Sequence, residues 1–524
     1  MQCITPKPAI WLLNSRVIAT IALALSGASC DGGALEPWHT EKLTAEFSVA
    51  KWDEVRSFED YRRLEERLFR QLEREVYARV EPGAANDLMR YSAGSAADLR
   101  NVSPDWNRSV ELPADAPKGG VLLLHGMSDS PYSLRALAET LSRSGYWVVA
   151  LRLPGHGTAP SGLKYVRARD MIAAVRLAMA HLASRVGDKP IHMVGYSAGA
   201  SLALDFALDA GEGQVSAVPA SLVLISPAIR IHATAAFARF KDALSVVPGL
   251  GGLAWLSIMP EFDPYKYNSF ATNAGDVVHR LTRSVGERIR AQARTSSDAR
   301  LPPILVFKST VDSTVTTEAV VDGLLGLLPP HRHKRGLFDI IRSAAKSILL
   351  IADPGPLTQR LMTDASLPFS VTFLTNQSPE SSEVVARHKA PFSVGASRVE
   401  RLDFRWPTGV ISLSHVAVPI APDDPIYGQS APDDGGALFL GDLAMRGERG
   451  LLGLPAEWLL RMRYNPFYPV VERGVLEWLE EAGSDRPSCG VLWSGLRRKG
   501  RSGDRWAGTL VGEPMRQLAR ALVL

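Results

Sequence analysis

The stretch IHMVGYSAGASLALDFAL, residues 191–208, decides how the rest of the chain is read. Its pattern predicts a short buried strand over 191–195 and a helix over 198–209, joined by the turn Gly195-Tyr196-Ser197-Ala198-Gly199. This is G-x-S-x-G between strand and helix. Glycines let the two elements approach closely around a tight turn, and such a turn lifts a serine hydroxyl to the sheet edge. The helix start aims backbone N–H groups and the positive end of its dipole at the same place. A close-packing turn without chemistry would use the same residues, so the remaining sequence has to decide.

Working outward, VLLLHG (121–126), YWVVALRLPGHG (146–157), ASLVLISPA (220–228) and PPILVFKSTVDSTV (302–315) each hold a short apolar strand. SLRALAETLSRSG (133–145) and RDMIAAVRLAMAHLASRV (169–186) read as helices between them. Strands alternating with helices predict the α/β class, with a mostly parallel sheet covered on both faces. Residues 229–300, rich in aromatics and glycine, break the rhythm and read as a lid insertion. Residues 316–408 are the hardest to place; a helix over 317–328 and strands over 336–341, 348–352 and 369–375 are expected. A further strand is expected over 410–415 and a helix over 471–482. Upstream, Phe58, Tyr61, Leu64, Leu68, Leu72 and Val76 form an apolar stripe at helical spacing over 58–80. Residues 91–120 look like loop.

A serine hydroxyl needs a base, and the base needs a third group to hold its tautomer. On this kind of sheet the order expected is serine, acid, histidine. Asp312 follows the strand ILVFKS and His415 follows VISLS, both at carboxyl ends of strands, where open α/β sheets bind ligands. Asp353, after ILLIA, is the rival acid; His331, His333 and His388 are rival bases in loop-like surroundings, and Asp322 and Asp339 read as structural. LHGMSDSP (124–131) follows the first strong strand, so the N–H groups of Met127 and Ala198 are the expected oxyanion donors. His125 and Gly126 would shape the loop and, with Tyr196, line the substrate site, while His156 reads as structural.

LLLHGMSDSPYSLRALAETLSRSGYWVVALRLPGHG, VGYSAGASLAL, VFKSTVDSTV and SLSHVAVPIAPDDPIYG together resemble the monoacylglycerol lipase-like branch of the α/β-hydrolase superfamily. The resemblance runs discontinuously from about Lys118 to Glu481. It implies an α/β-hydrolase fold, with Ser197 as nucleophile, Asp312 as acid and His415 as base. It also implies hydrolysis of carboxylic esters through an acyl-enzyme, without metal or organic cofactor. The segment between Asp312 and His415 is longer than the family's usual helix and strand. Phe237, Phe240, Leu253, Trp255, Leu256 and Met259 suggest either an acyl slot or lid packing, which favours an acylglycerol or other lipid ester as substrate. The alternatives are a thioesterase, an aminopeptidase with Glu261 or Asp263 holding the free amine, and a non-catalytic binding protein on the same fold.

The chain has 524 residues, 46% hydrophobic and 22% charged, with formal net charge +4. That is globular composition for one large domain with additions, and it gives no reason to expect nucleic acid as a partner. Cys3, Cys30 and Cys489 have no metal-ligand spacing and make no disulfide framework. Lys7 and Arg16, the apolar VIATIALAL (17–25) and the small residues SGAS (26–29) read as an export signal. Cys30 then stands where a bacterial lipoprotein carries its lipid, although Gly27 replaces the usual leucine, and Asp31 suggests inner-membrane retention. The expected division is a signal peptide over 1–29, a tether over 30–57 and a helical extension over 58–117. The α/β-hydrolase domain follows over 118–482, with its lid at about 229–300 and an insertion at about 330–408, and a basic solvated tail fills 483–524. The protein is expected to be exported, periplasmic or membrane-anchored through Cys30.

Overall fold

The computed structural model describes residues 35–83, 86–229, 251–295, 301–310, 312, 315–330, 334–338, 355–407, 413–432, 438–441 and 462–483. Cys30, Asp339, Asp353, His331, His333, Phe237, Phe240, the export signal and the basic tail lie outside the described residues. The strands are β1 (Val110–Leu112), β2 (Gly120–Leu124), β3 (Trp147–Leu151), β4 (Ile191–Tyr196), β5 (Ser221–Ile225), β6 (Trp255–Ser257), β7 (Phe270–Ala271), β8 (Ile304–Ser309), β9 (Lys334–Phe338), β10 (Ser370–Asn376), β11 (Glu383–Lys389) and β12 (Arg398–Arg405). The helices are α1 (Pro37–Thr40), α2 (Phe58–Glu75), α3 (Arg135–Arg143), α4 (Gly162–Tyr165), α5 (Ala168–Val186), α6 (Ala198–Gly211), α7 (Thr272–Thr295), α8 (Thr317–Gly323), α9 (Gly355–Thr363) and α10 (Tyr468–Gly483).

One sheet runs in the order β1-β3-β2-β4-β5-β8-β9-β10-β11-β12. Strands from β3 to β10 pair in parallel, and antiparallel strands lie at both ends. The apolar runs are continuous because both faces are covered. Along β2, Leu122 and Leu124 join one buried cluster with residues of α5, α6 and α7. Val121 and Leu123 point the other way, into a second cluster with residues of α3 and α10. Side chains alternate across a strand, so a sheet clothed on both faces needs apolar residues at every position.

Several expectations change. Residues 35–57 are not a loose tether in the described part: Trp38, Phe47 and Val55 are buried. Trp38 packs with Leu68, Leu72 and Tyr91 in a small core of its own. The α2 helix begins where Ser57 accepts the N–H of Asp60 while Asp60 accepts the N–H of Ser57, a reciprocal cap. Its Phe58, Tyr61 and Leu64 enter the main core. Residues 91–120 hold β1, which pairs antiparallel with β3. Part of the expected lid is not a cover: α7 places Val277, Leu281, Val285 and Ile289 in the same cluster as α6. The 317–328 segment is helical only to Gly323 and continues as a 3-10 turn over Leu325–Leu327. β11 and β12 were not expected; they lie at the sheet margin and carry many charged residues, Glu383, Arg387 and Lys389 in β11 and Arg398, Glu400, Arg401, Asp403 and Arg405 in β12, so their apolar content alone does not mark them. Residues 410–412 of the strand expected over 410–415 lie outside the described residues, and 413–415 are loop.

Candidate active site

β4 ends at Tyr196 and α6 starts at Ala198, so Ser197 alone makes the reversal. Its backbone sits at φ 54°, ψ −115°. A side chain at positive φ costs about 1–3 kcal/mol and persists where the surroundings over-determine it. Those surroundings are visible. Ser197 N–H donates to Ile225 O at 3.0 Å and Ser197 O accepts from Ala228 N–H at 3.1 Å, which pins both sides of the turn to β5 and the chain after it. A Cβ on Gly195 would lie 2.4 Å from Ala200 Cα, and one on Gly199 would lie 2.2 Å from Leu124 O. The turn is as tight as the glycines permit.

His415 Nε2 lies 3.0 Å from Ser197 Oγ, and His415 Nδ1 lies 2.8 Å from Asp312 Oδ2. Residues 218 and 103 positions apart thus form one hydrogen-bonded line. The Tyr196 ring packs on the His415 ring with centroids 5.4 Å apart. Asp312 Oδ1 accepts from Val315 N–H at 3.0 Å. Burial alone would raise the Asp312 carboxyl, but His415 and Lys308 outweigh it and hold the group well below the usual carboxylate range. Lys308 was not singled out from the sequence, although a lysine interrupting the apolar ILVFKS, four residues before the acid, was the available signal. Its Nζ donates to Asp312 Oδ2 at 2.6 Å.

The loop after β2 faces the turn closely: a Cβ on Gly126 would lie 3.2 Å from Ser197 Cβ and 3.1 Å from Tyr196 Cε1. His125, expected to line the substrate site, is fully buried. Its Nε2 accepts from Leu153 N–H at 3.0 Å and its Nδ1 lies 2.8 Å from Gly126 O, so it ties the loop to the end of β3 instead. Burial drives its pKa well below the ordinary histidine value, assisted by His156. His156 is likewise held near 4 by burial, and its Nε2 sits 3.1 Å from Met127 Sδ. Arg152, fully buried after β3, binds Glu65 through Nε at 2.6 Å and Glu46 through Nη1 at 2.9 Å. The amino-terminal segment therefore braces the loop that carries His156. The rival base His388 lies on β11 against Thr372 Oγ1 at 3.0 Å, away from this line, and Asp322 pairs on the surface with Arg360. Trp255 is buried with its ring 5.0 Å from that of His39, and Leu256 is exposed; Trp255 thus packs on the amino-terminal segment.

Residues 115–319 match the family Hydrolase_4, described as serine aminopeptidase, S33. Among curated proteins, the thermostable monoacylglycerol lipase of Bacillus sp. (strain H-257) is 38% identical over 85 residues, 16% of this chain and 33% of that protein. The magnesium-chelatase 30 kDa subunit of Rhodobacter capsulatus is 36% identical over 129 residues, 24% of this chain and 43% of that one. The chain thus spans less than half the length of each of these relatives. Among solved structures, the monoacylglycerol lipase of Paleococcus ferrophilus aligns at 18% identity and TM-score 0.33, covering 44% of this chain and 88% of its own. With its mostly parallel sheet and its serine turn between β4 and α6, the chain has an α/β-hydrolase fold, and over residues 115–319 it is similar to serine hydrolases that include esterases and lipases.

Proposed function

We propose that the protein hydrolyses carboxylic esters, with Ser197 as nucleophile, His415 as general base and then general acid, and Asp312 holding the imidazole. The observation that carries this reading is the hydrogen-bonded line from Ser197 Oγ through His415 to Asp312. His415 Nε2 takes the Ser197 proton as Oγ attacks the acyl carbon, then delivers it to the leaving alcohol; water repeats the cycle on the acyl-enzyme. The N–H groups of Met127 and Ala198 receive the oxyanion. Ala198 opens α6, where helix N–H groups have no partner within the helix.

The serine aminopeptidase description suggests a second substrate class, and two carboxylates bear on it. Glu261 is buried and accepts the N–H groups of Asn268 and Ser269 at 3.0 and 2.7 Å. Asp263 accepts from Tyr427 Oη, from Arg463 Nη1 at 3.2 Å and from the N–H groups of Tyr265 and Lys266. Both are occupied in holding the fold, which favours esters over substrates with a free amine. Lipid esters are the preferred class, on the likeness to the monoacylglycerol lipase. The test is a panel of p-nitrophenyl esters of increasing chain length, matched thioesters and aminoacyl amides, with Ser197→Ala beside the wild type. Ester turnover that falls by about 10⁴-fold or more in Ser197→Ala is expected. An unchanged rate, or fluorophosphonate labelling that persists in that variant, refutes the assignment.

A further inference from the structure

Lys308 is a lysine whose side chain is completely buried, on a strand whose other residues are packing residues. It stands opposite Leu337 in the register with β9. Its Nζ donates to Asp312 Oδ2 at 2.6 Å and to Val315 O at 2.5 Å, while Val315 N–H donates to Asp312 Oδ1 at 3.0 Å. These bonds close a small polar ring across the turn that carries Asp312. A buried ammonium has to be paired, and burying an ion pair stabilises a fold no more than an apolar replacement often does. Stability therefore does not account for a lysine here, and its place against the acid of the hydrogen-bonded line does.

Asp312 Oδ2 is the atom that matters. It accepts from Lys308 and from His415 Nδ1 together. We propose that Lys308 is a positioning residue of the catalytic unit: it holds Asp312 ionised and oriented, and by sharing Oδ2 it limits how much carboxylate charge reaches His415. This rests on the triad reading above and extends it from three members to four. In an ordinary triad the carboxylate stabilises the imidazolium that forms when Oγ gives up its proton. Here a second buried cation already draws on that carboxylate. Less of the carboxylate's charge is then left for the imidazolium that forms at His415 as Oγ gives up its proton. The groups around this pair come from separate elements. Lys308 lies on β8, Ser197 at the start of α6, and the Tyr196 ring of β4 packs on His415.

Through a shared oxygen the ammonium and an imidazolium are on the order of 5 Å apart; at an effective dielectric of about 20 their repulsion corresponds to roughly two pH units in the midpoint of the enzyme's acid limb. The experiment is the pH dependence of kcat/KM for a p-nitrophenyl ester in wild type, Lys308→Met, Lys308→Gln and Lys308→Arg, with a thermal melt of each. The acid-limb midpoint is expected to rise by about two pH units in the two neutral variants and to stay near wild type in Lys308→Arg. A folded neutral variant whose midpoint stays put or falls overturns the proposal. Two neutral variants that both fail to fold make Lys308 a structural cation and overturn it as well. Ser197→Ala separates the two readings. If it stays active, the triad itself is refuted; if it is inactive while Lys308→Met keeps the wild-type profile, only the role of Lys308 falls.

Discussion

Gly199→Ala is the substitution whose outcome the geometry states most sharply. The added Cβ would lie 2.2 Å from Leu124 O and 2.6 Å from His125 O. Both are backbone atoms at the end of β2, so no side-chain rotation relieves the contact, and the helix start or the strand end has to move by about 1 Å. Overpacking of this kind costs about 1–3 kcal/mol, of which alanine's better helix propensity returns up to about 1 kcal/mol. At about 2–4 °C per kcal/mol for a domain of this size, the melt drops by several degrees and the protein still folds. The rate suffers more. The displaced segment leads into Gly126, which lies against Ser197, and a 1 Å misplacement in such a site costs about 100-fold. The assay is kcat/KM for a p-nitrophenyl ester, with a circular-dichroism melt. Gly83→Ala, where a Cβ meets nothing within 4 Å, serves as the control and leaves both readouts unchanged. A Gly199→Ala protein with wild-type rate and wild-type melt would refute the argument that close approach of α6 to β2 builds the oxyanion site.

Arg152→Met strands the buried carboxylate of Glu65 and removes the partner of half-buried Glu46, and urea unfolding should show a loss of about 3–5 kcal/mol. Leu68→Ala opens a cavity in the small core shared with Trp38 and Tyr91; a loss of about 2–5 kcal/mol is expected, and no loss would mean that α2 is not an integral part of the fold. Acid should destabilise the protein through its buried histidines. His192, paired with Ser221 Oγ at 2.8 Å, is held by burial near 4, below its ordinary 6.5. The unfolded chain takes up a proton below about pH 6.5 and the folded chain resists until about pH 4, so this share of stability is complete above 6.5 and drains away toward 4. It amounts to about 3 kcal/mol, and His192→Gln should flatten the fall in unfolding free energy between pH 6.5 and 4. An equally steep fall in that variant would remove His192 from the account.

Much of the frame was legible because it is locally encoded. The apolar runs at 121–126 and 191–195 hold all but one residue of β2 and β4, the run at 220–228 contains β5, and the turn at Ser197 announces itself by its two glycines. The residues brought to Ser197 were legible too, since Asp312 and His415 each follow an apolar run in the expected order. What failed to show was whatever depends on a partner far along the chain. β11 and β12 are strands because β10 offers an open edge to β11 and β11 offers one to β12. Residues 35–57 looked like tether because Trp38 and Phe47 are isolated apolar residues in a polar stretch; both are buried against distant elements, and the half-buried Glu46 is paired by Arg152. His125 looked like a substrate contact until β3 supplied Leu153 N–H to its ring.

By itself, then, the sequence determined the alternation of strands and helices from β2 to β5, the tight turn at 195–199 and the three residue types that could share a proton. These follow from side-chain periodicity and from backbone freedom at two glycines, both properties of neighbours in the chain. Only the tertiary structure decided that Lys308 and His415 meet on one oxygen of Asp312, and that a buried arginine links Glu46 to the loop beside Met127. Hydrogen bonds and ion pairs act over about 3 Å, and which groups come that close is settled by how the sheet and its covering layers pack.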